Sequence, residues 1–153
     1  MLLAQWIDIE VATLQTLYMV VMSTLVVVLF GLPLGTTLFI LRLKGARSGW
    51  FQALSLIINA TRSIPFIILL IVLLPVTRFL VGTSIGMHAA MVPLILGAIP
   101  FFARLVDNVY LGLDKGLIEA GHSLGMSTLQ IERRIWLPES TSALIQATAD
   151  TAI

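Results

Sequence analysis

From Val11 to Leu41 the chain carries no charged side chain. A helix rises 1.5 Å per residue and needs roughly 20 apolar residues to cross the hydrocarbon core of a bilayer. The run is long enough to span with tilt, and a helix is expected over 14–40. Gly31, Pro33 and Gly35 interrupt it. In water such a cluster breaks a helix; in a membrane bundle neighbours re-satisfy the freed backbone groups, and small residues permit close packing. Composition points the same way: 58% of residues are hydrophobic, 11% are charged and mean hydropathy is +1.02. A soluble domain has roughly 25% charged residues. The solvent of this chain is lipid. A net charge of +1 offers no field for nucleic acid. The absence of cysteine excludes disulfides, thiolate zinc sites and cysteine nucleophiles. No basic residue precedes the first apolar run, whereas Asp8 and Glu10 do. A secretory leader has a basic start and a shorter apolar core, so this segment is expected to be a permanent anchor.

The pattern beyond it predicts an all-α, polytopic membrane protein. Residues 42–49 form a short basic turn with Arg42, Lys44 and Arg47. A second apolar segment covers about 50–74, broken by Asn59, Thr61, Arg62, Ser63 and Pro65, and 75–88 reads as a loop. A third span is expected over 89–109, with Pro93, Gly97 and Pro100 inside it. Near its end Arg104 and Asp107 sit three apart and can pair on one helix face. A polar island follows over 110–140, and a fourth span begins at about 141, within which the chain stops at Ile153. Basic residues set orientation in the membrane. The 42–49 turn and the island, with Lys115, Arg133 and Arg134, outweigh the 75–88 loop, which has Arg78. The turn and island are therefore expected in the cytoplasm, with the N-terminus outside.

Inside the island the local signals predict two short helices. The first, about 115–124, has Asp114 as N-cap and Gly125 as the left-handed residue at its C-terminal end. Ser127 and Gln130 have capping-box spacing for the second, about 128–136, whose continuation Pro138 limits. Periodicity alone reads the pair equally as amphipathic helices lying on lipid headgroups. The island also holds Glu119-Ala120-Gly121-His122-Ser123-Leu124-Gly125 and, nine residues later, Ile135-Trp136-Leu137-Pro138.

This spacing resembles the EAA loop of the membrane-spanning subunits of bacterial ABC importers, in which that loop docks onto a separate ATPase. The third position of the motif is often Ala and is Gly121 here, which keeps the side chain small at about 1 kcal/mol of helix propensity. Two more stretches resemble methionine-uptake permeases: Arg62-Ser63-Ile64-Pro65-Phe66-Ile67-Ile68-Leu69-Leu70, and Val81-Gly82-Thr83-Ser84-Ile85-Gly86 with Ala89-Ala90 and Val92-Pro93-Leu94. Together the matches cover most of residues 14–147. The resemblance implies a type I importer permease in the bacterial cytoplasmic (inner) membrane, truncated here at its C-terminus, since such permeases have further spans after the docking loop. It assigns ATPase docking to Glu119, Ala120, Gly121, Gly125, Ile135, Leu137 and Pro138. It implies as partners an ABC ATPase holding ATP and Mg, a second copy of the permease, a periplasmic or lipid-anchored substrate-binding protein, and membrane lipid. Methionine or a related amino acid is the implied solute; the alternatives are another polar amino acid or small solute, or a non-transporting fragment or scaffold.

Other residues admit two readings. Arg62, with Asn59 and Ser63 beside it, either lines the solute pathway or is structural, snorkelling to headgroups or bonding carbonyls freed by Pro65. His88 reads as interfacial and His122 as a surface contact. Trp6, Trp50 and Tyr110 fall where interfacial aromatics do. The chain has no phosphate-binding Gly-x-x-x-x-Gly-Lys-Ser/Thr loop and no metal-ligand spacing, and no Asp or Glu occurs between 11 and 106. No catalytic residue, metal site or bound cofactor is expected, and a membrane-embedded enzyme or a proton-coupled carrier lacks its acid–base groups.

Overall fold

The charge-free run lies inside one unbroken helix, α1 (Leu2–Gly45), of 44 residues. The computed structural model describes residues 2–45 and 47–152, and their side chains apart from those of residues 2–7 and Lys115. The side chains of Trp6 and Lys115, and Ile153 as a whole, lie outside the described residues. Helix α1 exceeds the expected 14–40 at both ends because nothing in the flanks breaks it. Thr13 and Thr16 turn their hydroxyls onto the carbonyls of Ile9 and Ala12, at 2.7 and 2.8 Å. Pro33 sits within the helix.

Helix α4 (Met87–Leu111) packs along α1, and glycine is the reason that it can. A Cβ on Gly31 would lie 2.7 Å from Phe102 Cδ1, and one on Gly35 would lie 2.5 Å from the Ala103 carbonyl oxygen. Residues four apart share a helix face, so the two glycines make one groove in which the α4 backbone lies.

The second apolar segment departs from a single helix over 50–74. It is a pair, α2 (Gly49–Ser63) and α3 (Phe66–Val81), bent by 108° at the break. The cause is local. Pro65 disfavours the helical region for the residue before it, and Ile64 is extended at φ −78°, ψ 126°. The expected loop also shrinks: α3 runs through Pro75 and ends at Gly82, whose φ is +81° and whose N–H bonds the Arg78 carbonyl. Among the described residues α1 and α4 are long and apolar enough to cross a membrane, and the bent pair makes a third crossing if it counts as one broken span.

The island follows as α5 (Lys115–Ser123) and α6 (Thr128–Ile131), then a single π turn at Glu132–Trp136, α7 (Leu137–Glu139) and α8 (Thr141–Ala152). Pro138 does not end the helical path as expected. The widened π turn, closed by the Leu137 N–H on the Glu132 carbonyl, absorbs the proline's missing donor. The Ser140 and Leu144 N–H groups then resume the ladder onto Trp136 and Ser140, at 3.0 and 2.8 Å.

Candidate functional site

The corner of the island is built from local hydrogen bonds. The Asp114 carboxylate accepts from the Gly116 N–H at 2.8 Å and caps α5. At the other end Gly125 has φ +73°, its N–H bonds the His122 carbonyl at 2.9 Å, and the Met126 N–H bonds Gly121 at 3.1 Å. These two bonds and the left-handed glycine form a Schellman stop. The Ser127 N–H donates to Gln130 Oε1 at 2.8 Å and the Gln130 N–H to Ser127 Oγ at 3.4 Å, closing a reciprocal capping box on α6.

Motif side chains then separate into two sets. Glu119, Ala120, Gly125 and Pro138 are exposed, and Ile135 and Leu137 are half-buried. Gly121 turns inward, contrary to its expected place on a partner-facing surface. A Cβ there would meet Ile135 Cδ1 at 3.0 Å and Ile131 Cγ1 at 3.1 Å, so its smallness serves the packing of α5 on the following segment. Leu124 was not singled out in the sequence, yet it projects from the corner beside Glu119 and Ala120 at 80% exposure.

Trp136, also unassigned in the sequence, fixes the island to the spans. It is fully buried, with its ring 5.0 Å from Phe39 of α1, edge-on, and 5.8 Å from Tyr110 of α4. Tyr110 is therefore in this aromatic cluster and not at the headgroups as expected, whereas Trp50 is 80% exposed. A large aromatic amid polar residues was the available signal.

Just above the island a charge cluster joins three helices. Asp107 has no exposed surface. Arg104 Nη1 donates to it at 3.0 Å, the pairing expected from their spacing. Arg42 of α1 adds a second guanidinium through both Nε and Nη2, and also lies 5.0 Å over the Phe51 ring. Arg104 continues to Ser55 Oγ and Asn59 Oδ1 of α2, at 2.9 and 2.7 Å. Asp107 is the one carboxylate between 11 and 113. That uniqueness was the signal for a second cation.

The residues suspected around Arg62 do not act together. Asn59 is held by Arg104, and the Ser63 hydroxyl donates to the Asn59 carbonyl at 2.9 Å. The Pro65 carbonyl accepts backbone N–H groups from Ile68 and Leu69 and opens α3. The Arg62 guanidinium instead lies 5.4 Å over the Phe101 ring. Among the described residues no cluster of three or more metal-ligating side chains occurs. His88 is exposed with its ring 6.2 Å from Tyr18, and His122 is exposed on α5.

Comparison with known proteins agrees with this architecture. Residues 31–149 match the family described as "Binding-protein-dependent transport system inner membrane component". The chain is 45% identical over 152 residues to the probable D-methionine transport system permease protein MetI of Pasteurella multocida, covering 97% of this chain and 69% of that protein. With the D-methionine transport system permease protein MetI of Escherichia coli K12 the identity is 44% over 141 residues, covering 91% and 65%. A solved structure of the MetNI methionine ABC transporter, in an inward-facing conformation, superposes with a TM-score of 0.86 at 44% identity, covering 90% of this chain and 65% of that one. The chain thus spans about two thirds of the length of these relatives. Its helices are those of an inner-membrane, several-pass component, and the chain belongs to the family of binding-protein-dependent transport system inner membrane components.

Proposed function

We propose that this chain is the membrane-spanning permease of an ATP-driven importer of methionine, and that the corner of the island docks on a separate ATPase. The observation that carries the docking is the exposed face of Glu119, Ala120 and Leu124 on a hydrogen-bonded corner tied by Trp136 to α1 and α4. The methionine assignment is supported by relatives at 44–46% identity that are named D-methionine permeases. In this reading ATP and Mg are held by the ATPase, two copies of the permease enclose the path, and a substrate-binding protein delivers solute from outside. ATPase closure pushes on α5, and the spans shift between two packings, biased by nucleotide and binding protein.

The test uses the full-length chain co-expressed with its ATPase in reconstituted vesicles. Methionine uptake is expected to require ATP and to survive an uncoupler. Glu119→Lys should weaken ATPase association about fivefold, the size of an exposed ion pair, with a larger effect at low salt. Leu124→Asp should weaken it at least about tenfold, because a leucine buried at an interface contributes roughly 1.5–3 kcal/mol. Full ATPase retention in both variants would remove the island from the interface. Uptake of a different solute instead of methionine would correct the substrate.

A further inference from the structure

The bend between α2 and α3 leaves a cavity of about 370 Å³ against α4 and the last turn of α8. Small-molecule sites occupy roughly 300–1,000 Å³, and this one is at the small end. Leu69, Leu94 and Phe101 make its wall largely apolar, and Arg62 is the charged side chain that lines it. An arginine within an apolar segment is ordinarily paired or faces a wet path. Among the described residues both ion pairs converge on Asp107 and engage Arg42 and Arg104, so neither uses Arg62. Arg62 is exposed and its guanidinium carbon lies 5.4 Å from the Phe101 ring centroid, a cation–π contact that uses the face of the group and not its N–H donors. Those donors form a planar fork whose geometry matches a carboxylate.

Two hydroxyls complete the lining. Thr61 donates to the Ile57 carbonyl at 2.9 Å and Thr151 to the Ala147 carbonyl at 2.8 Å. With their protons committed, both oxygens can act toward a ligand only as acceptors. An ammonium group is a donor of the required kind. The cavity therefore offers a carboxylate fork, acceptors for an ammonium, and an apolar wall in which an aromatic ring can touch a thioether.

We propose that this cavity is a binding site for a zwitterionic amino acid with an apolar side chain, with Arg62 holding the carboxylate. The proposal rests on the importer reading and adds to it a solute site within the membrane subunit. It is tested on the full-length permease assembled with its ATPase, using radiolabelled methionine uptake in vesicles with the binding protein present. Saturation-transfer NMR on the same complex without the binding protein compares methionine with methioninamide, which lacks the carboxylate. Wild type should import methionine and bind it at least tenfold better than the amide. Arg62→Gln should retain the ATPase on purification, lower uptake at least tenfold and bind the two ligands alike. Arg62→Lys keeps the charge without the fork, and should raise KM more than it lowers the maximal rate; it carries the test if the glutamine variant does not assemble. Wild-type uptake in either variant, or an undiminished preference for methionine over the amide, overturns the site and leaves the importer reading intact. A wild-type complex that imports no methionine overturns that reading, and this assignment with it.

Discussion

At Asp107 a carboxylate without exposed surface is flanked by two guanidiniums that come from different helices. Removing one member of a buried ionic set is costly because the others stay desolvated without their partner. Asp107→Asn is expected to destabilise the folded protein by about 3 kcal/mol, since it leaves Arg42 and Arg104 facing each other with no anion. Arg42→Gln should cost less, because Asp107 keeps Arg104 and the Arg42 side chain is already 28% exposed. Thermal unfolding in detergent measures both, and equal losses would mean that Arg42 contributes as much as the carboxylate does. The half of this cluster that the sequence disclosed was the local half. Arg104 and Asp107 are one helical turn apart, so spacing alone pairs them. Arg42 is 65 positions from Asp107, and its place in a basic turn suggested only an attraction to headgroups. Gly121 is a different case: smallness is legible in a sequence, but the direction in which a small residue faces is set by what packs on it.

Helix caps that depend on neighbours in sequence are legible in the sequence, whereas the stop expected at Pro138 is not met. The Asp114 cap, the Ser127–Gln130 box and the left-handed Gly125 each involve residues within a few positions of one another. Pro65 marks a break in the sequence, but nothing there gives the 108° change of direction. A proline announces that a helix stops; the angle at which the next one leaves is fixed by tertiary packing. The same distinction gives a prediction at the corner. At Gly125 an added Cβ meets nothing within 4 Å, so a substitution there is penalised by backbone conformation and not by crowding. Gly125→Ala should loosen the corner by about 1 kcal/mol, the left-handed penalty for a residue with a Cβ, and Gly125→Asn should recover part of it. Amide hydrogen exchange across 121–127 reports the difference. Equal protection in glycine, alanine and asparagine forms would mean that the φ of +73° is not required for the stop.

For the molecule as a whole, α1 is about 66 Å long at 1.5 Å per residue, more than twice the roughly 30 Å of the hydrocarbon core. It must project beyond the bilayer or tilt strongly. Its last turn carries Arg42 and Lys44, and the exposed Arg133 and Arg134 lie in the π turn of the island. The opposite end of the bundle has Arg78 in the last turn of α3. The expected outcome is that a thiol-reactive label reaches Ser84→Cys from outside and Ser127→Cys from the cytoplasm; both positions are exposed, and the chain has no cysteine to interfere. Labelling of Ser84→Cys from the cytoplasmic side alone would invert the topology. The Arg42–Asp107 pair also bears on how such a chain is made. Synthesis proceeds at roughly 5–20 residues per second, so about 3–13 s separate the two residues at the ribosome. When the acidic group emerges, its cation is already waiting in the newly inserted first helix. The carboxylate, already paired with Arg104 of its own helix, can then gain this second cation as it leaves water. A pair formed in this order favours an α4 that inserts beside α1 over one that threads without it.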